Sequence, residues 1–126
     1  MNKFLLTTAL LCFAGIKNST AQVINDPIGA RSTAMGGITT TLSDLWSTNN
    51  NQAGLGFVED LSAGLYYENR FLLKETSYKA GAFVLPTKTG AFGVSIASFG
   101  FTEFMETRAG LSYGLKFSER FAVGVQ

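Results

Sequence analysis

Two pairs of carboxylates and one pair of glycines are the residues in this sequence whose spacing invites a chemical reading. Glu59-Asp60 and Glu103/Glu106 have the side chains of a general acid and a general base, which work when a nucleophile or a histidine stands beside them. Neither pair has that company, because the chain contains no His. Solvated charge in a loop or at an interface is the simpler reading of both. Gly36-Gly37 lacks the further glycines and the lysine of a phosphate-binding loop and follows no clear strand, so it predicts a turn. With no His and a single Cys, neither a thiolate/imidazole metal site nor a histidine-based triad can be assembled. The sequence therefore predicts a protein that is not an enzyme, with no catalytic, cofactor-binding or metal-ligating residue and with its ligand-binding residues unassigned.

Composition narrows the classes further. The chain has 126 residues and one domain at most. A net charge of +1 gives no electrostatic footprint for nucleic acid, which is not expected as a partner. Aromatic content of 13% with 15% charged residues is the reverse of a disordered composition. Outside Met1 to Ile16 no apolar run approaches the ~18 residues of a membrane-spanning helix, which excludes a helical membrane bundle.

Residues 1–21 read as a signal peptide. Lys3 supplies the charged start, Phe4 to Ile16 the apolar core, and Ser19-Thr20-Ala21 a small-x-small cleavage site before Gln22. Cys12 lies inside the apolar core behind Leu10-Leu11, which is not the small-residue context of lipidation, and it leaves with the peptide. The exported chain then has no cysteine, so its fold cannot rest on disulfides. The sequon Asn18-Ser19-Thr20 lies in the removed segment.

The remainder divides in two. Residues 22–59 are rich in Gly, Ser, Thr and Asn and too poor in apolar residues to form a core. One short helix is expected there, from Leu42, Leu45 and Trp46 at i, i+3 and i+4, ended by Asn49-Asn50-Asn51. From residue 60 the period becomes two. Leu61, Ala63, Leu65 and Tyr67 alternate with Ser62, Gly64, Tyr66 and Glu68. Tyr78 to Leu85 is less regular. Phe92, Val94 and Ile96 alternate with Ala91, Gly93, Ser95 and Ala97; Ala109, Leu111, Tyr113 and Leu115 alternate with Gly110, Ser112, Gly114 and Lys116. A fifth segment sets Phe121, Val123 and Val125 against Ala122, Gly124 and Gln126. About five strands are therefore expected in 60–126.

The expected connections run long (Asn69 to Ser77), short (Pro86 to Gly90), long (Phe99 to Thr107), short (Phe117 to Arg120), as in outer-membrane barrels with tight periplasmic turns. Phe99 and Phe101 fall out of phase with Phe92, Val94 and Ile96, which predicts a bulge or a strand end near Ser98.

A soluble sandwich and a membrane barrel both alternate. The second face here is mostly Gly, Ser and Ala, with charge limited to Glu68, Lys79 and Lys116, whereas a water-facing sheet would carry many charges. Aromatics flank the connections as two girdles would: Tyr67, Phe71, Tyr78, Phe99, Phe101 and Phe104 beside the long ones, Phe92, Phe117 and Phe121 near the short ones. Tyr66 and Phe83 are the aromatics that could instead fill an interior. The fold class expected is all-β: the N-terminal part of an antiparallel transmembrane β-barrel preceded by a hatch-like segment. Bacterial barrels begin at about eight strands, so five are read as an incomplete wall, with the missing strands expected beyond residue 126.

Ile28-Gly29-Ala30-Arg31-Ser32-Thr33-Ala34-Met35-Gly36-Gly37, Leu42-Ser43-Asp44-Leu45-Trp46-Ser47 and Asn50-Asn51-Gln52-Ala53-Gly54-Leu55 together resemble the PorV/PorQ family of outer-membrane barrels, relatives of the FadL-type fatty acid transporters. The similarity continues through Tyr67-Glu68-Asn69-Arg70-Phe71 and Phe99-Gly100-Phe101. The family has Asn-Pro-Ala-Gly-Leu where this chain has Asn51-Gln52-Ala53-Gly54-Leu55. The resemblance implies a 14-stranded barrel with its N-terminal segment tucked into the lumen as a hatch. It implies location in the outer membrane in contact with outer-membrane lipid, a non-enzymatic role in type IX protein secretion, and secreted cargo or secretion-machinery components as partners. FadL relatives instead carry hydrophobic compounds, which is the alternative function.

Overall fold

A computed structural model describes residues 26–126, so the expected signal peptide lies outside the described residues. Five strands, β1 (Ser62–Asn69), β2 (Ser77–Pro86), β3 (Gly90–Phe101), β4 (Phe104–Ser118) and β5 (Phe121–Val125), form one antiparallel sheet in the order of the sequence. The chain is thus all-β with few helices, and the described sheet is open. No helix among the described residues is long and apolar enough to cross a membrane.

Register is continuous from Gly90↔Leu115 to Phe101↔Phe104, so β3 neither bulges nor ends near Ser98. Strict alternation carries Phe99 to the same side as Ala97, where it packs against Tyr78 with ring centroids 6.3 Å apart. The stretch Phe99 to Thr107 is consequently not a long connection: β3 and β4 run on to meet at Thr102 and Glu103. Only β1–β2 keeps an extended link, with Phe71 and Leu72 both at φ 57, a left-handed backbone that is costly for bulky side chains. The irregularity lies elsewhere, at a register shift between Lys116 and Ser118.

Residues 26–59 lie across one face of the sheet. Their polar composition has a structural reason, since a short irregular segment must satisfy its backbone groups through side chains. Asn50 does so reciprocally, accepting from Ile28 N–H at 2.9 Å and donating to Ile28 C=O at 2.7 Å. The Ser47 hydroxyl donates to Leu42 C=O and accepts from Asp44 N–H, while Asn51 donates to Thr40 C=O. A short helix does end in the Asn49-Asn50-Asn51 run, as α2 (Ser47–Asn50), but it starts only after Leu42, Leu45 and Trp46, and it is joined by α1 (Ala30–Ala34) and a 3-10 helix (Gln52–Phe57). The Asp44 carboxylate accepts from Trp46 N–H at 2.9 Å and organises the turn from which α2 starts.

Among the described residues, core lies between this segment and the sheet. Ile28, Tyr78, Ala80 and Ala97 form one cluster with Trp46, Tyr66 and Phe99 against it; Leu55, Val84 and Ala91 form another with Leu45 and Val58. The sheet face bearing Gly, Ser and Ala is therefore the covered one, and the face bearing large apolar residues is open.

Candidate functional site

Two surfaces of one sheet make the site. On the covered face the absence of side chains lets backbone meet backbone. A Cβ added at Gly124 would lie 2.1 Å from the Gln52 carbonyl carbon, and one at Gly114 would lie 2.6 Å from both Gln52 O and Gly56 N. The 3-10 helix thus sits directly on β4 and β5. Gln52 occupies its first position and donates to Gln126 Oε1 at 2.8 Å and to the carbonyls of Thr48 and Asn49 at 3.3 Å.

At the other end an ionic chain clamps the segment to β1. Arg70 pairs with Asp26 at 2.6 Å and with Glu68 at 2.7 Å; Tyr66 O–H donates to Glu68 at 2.5 Å and meets the Thr33 hydroxyl at 3.2 Å. The hydrogen bond to Glu68 raises the Arg70 pKa, so the guanidinium stays charged throughout the accessible range. Trp46, Tyr66, Tyr78 and Phe99 continue inward from this clamp, ring centroids 5.8 to 6.3 Å apart.

The open face is ordered in rows across the strands. Tyr67, Lys79, Ser98 and Thr107 are register partners in one polar row. Beneath it stand Leu65, Gly81, Ile96 and Ala109, then Ala63, Phe83, Val94 and Leu111, then Leu85, Phe92, Tyr113 and Val125, and finally Leu115 with Val123. Leu65 is 91% and Leu111 75% exposed. Phe92 and Tyr113 pair at 4.5 Å, and Phe117 pairs with Phe121 at 5.9 Å below them.

Searches among protein families, characterised proteins and solved structures find no match.

Several positions differ from expectation. Lys79 stands on the open face, because Tyr78, Ala80 and Val84 take the covered side of β2. Tyr78 and Phe99 turn into the core and join no girdle; Tyr66 also faces inward, whereas Phe83 faces out. Glu59, Asp60 and Glu103 are exposed, and Glu106 lies 4.0 Å from Arg108 two residues along the same strand. The carboxylate pairs are thus not brought together with each other. Gly36 and Gly37 have positive φ and follow α1, as a turn requires. The polar outward row and the clamp were missed. Their signal was the placement of Tyr67, Lys79, Ser98 and Thr107, visible only once strands are set in register.

Proposed function

We propose that residues 60–126 form part of the wall of an outer-membrane β-barrel and that residues 26–59 lie in its interior as a seated plug. The observation carrying this reading is the inverted sheet: small residues bury against the plug while large apolar residues face outward without a covering layer. In water such a face is an association or aggregation hazard; in hydrocarbon it is the wall. The open face has the right height as well. Thr107 to Phe117 is about 33 Å of strand at ~3.3 Å per residue, and a tilt of about 40° projects it onto roughly 25 Å, the apolar band of an outer-membrane barrel. The Phe92/Tyr113 and Phe117/Phe121 pairs supply the aromatics of its lower border. Strand edges cannot stay unpaired in lipid, so closure takes further strands beside β1 and β5, whichever chain supplies them.

The plug carries the residues that resemble the PorV/PorQ family, and they are the ones holding it together: Ser47, Asn50 and Asn51 through side chain to backbone bonds, Leu55 through the core. That agreement of motif with structural role supports a non-catalytic part in type IX protein secretion. Two measurements test the proposal at its two levels. The chain should stay with outer membranes washed in alkaline carbonate and leave them only in detergent; recovery in the aqueous fraction refutes the barrel. Deleting the gene should leave cargo unprocessed in the periplasm, and normal export refutes the secretion role.

A further inference from the structure

The outward rows are not uniform, and the exception sits directly below the polar row. Gly81 has no side chain, and its register partners Leu65 and Ile96 rise on either side, with Ala63, Phe83 and Val94 in the row beneath. Together they line a shallow, open recess of about 480 Å³. A Cβ built on Gly81 would lie 3.4 Å from Leu65 Cδ2 and 3.6 Å from Ile96 Cγ2. Gly81 therefore leaves a dip between two aliphatic walls, and an acyl chain lying over it would touch both. Lys79 stands two residues along the same strand on the same face, exposed, between Tyr67 and Ser98 in register. Among the described residues no carboxylate pairs with its ammonium. A cation whose register partners are two hydroxyl residues thus stands about 7 Å along the strand from the recess, at two residues of ~3.3 Å each.

We propose that this recess binds one anionic phospholipid, its phosphate at Lys79 with the hydroxyls of Tyr67 and Ser98 and no cationic head group to compete for that phosphate, and one acyl chain lying over Gly81 between Leu65 and Ile96. The inference rests on the membrane reading above, since only there does the open face meet lipid. Charge selects the occupant: an apolar protein segment would fill the slot and leave the lysine without an anion, whereas an anionic amphiphile answers both.

The test places the protein, extracted from outer membranes together with whatever supplies its remaining strands, in phosphatidylcholine nanodiscs with a small fraction of phosphatidylglycerol carrying a diazirine midway along one acyl chain. Cross-links should concentrate on Leu65, Phe83, Val94 and Ile96 over the equally outward Leu111 and Val123. The same probe with a phosphatidylcholine head should label about fivefold less, the equivalent of the ~1 kcal/mol one lysine contributes toward an anionic lipid. Lys79→Gln should erase that head-group preference. Gly81→Leu should abolish focal labelling, and Gly81→Ala, whose methyl fits without a clash, should weaken it in a normally folded protein. Labelling spread evenly over all outward positions, or focal labelling that Gly81→Ala and Gly81→Leu leave unchanged, overturns the lipid site while leaving the barrel standing. No labelling anywhere, with the protein recovered in water, overturns the barrel instead.

Discussion

Leu111 is the position at which the orientation of the sheet can be measured. It stands on the open face, 75% exposed, in the third outward row, and Thr107 stands on the same strand and face in the polar row. The distance between them is about 13 Å of strand, or roughly 10 Å along the normal at a tilt near 40°. If the polar row marks one edge of the hydrocarbon, Leu111 is close to its midplane. Leu111→Arg should then destabilise the folded protein in vesicles by about 2 to 4 kcal/mol and Thr107→Arg by about 0 to 1 kcal/mol, as charge on the lipid face costs by depth. In water both exposed changes would fall within about 0.5 kcal/mol of zero. Urea titration of folding into lipid vesicles, read by tryptophan emission, gives both values. Equal and small effects would refute the assignment of the open face to hydrocarbon. Ser112→Arg is not the neutral comparator that a spacious lumen suggests. Ser112 is 5% exposed beneath the plug and donates to Gly93 C=O, so an arginine there should unseat the plug without hindering membrane insertion.

Gly124→Val meets the Gln52 backbone and should cost about 3 kcal/mol, exposing residues 26–59 to trypsin while the strands stay protected. Arg70→Leu removes both ion pairs of the clamp; because Arg70 and Asp26 are each more than a third exposed, the loss should be about 1 kcal/mol at low salt and shrink as salt is added. Gln52→Pro should change stability by less than about 1 kcal/mol, because the first helical position accepts proline and Asn51 before it is already extended. The stiffened turn offsets the lost side-chain bonds to Thr48, Asn49 and Gln126, which thermal unfolding would reveal.

Alternation made the strands legible because the plug demands small residues on one side at nearly every step, as at Gly93, Gly114 and Gly124. It failed at the upper end of β3, where the pattern inverts. There Ser98 points outward into the polar row while Phe99 points inward onto Tyr78, so the rule that oily residues share a face misreads both. Lys79 was misplaced for a related reason, since β2 carries small residues on both sides and offers little contrast. The end of α2 was legible in its Asn run, but its start, α1 and the 3-10 helix were hidden, because bonds such as Asn50 to Ile28 span 22 positions and leave no local period. The inward seat was visible as composition, while the outward lipid recess depends on Gly81 falling between Leu65 and Ile96, which only pairing reveals.

Residues 26–59 precede all five described strands, yet they rest on β4 and β5 among them, with Gln52 reaching Gln126 across 74 positions. A polypeptide made from its amino end therefore presents this segment long before those strands exist for it to rest on. Assembly must run backwards relative to synthesis: hairpins first, then docking of the oldest residues, at the slow pace that distant pairing imposes. Until then, Ile28, Trp46 and Leu55 are bare, and whatever keeps them from associating would set the yield.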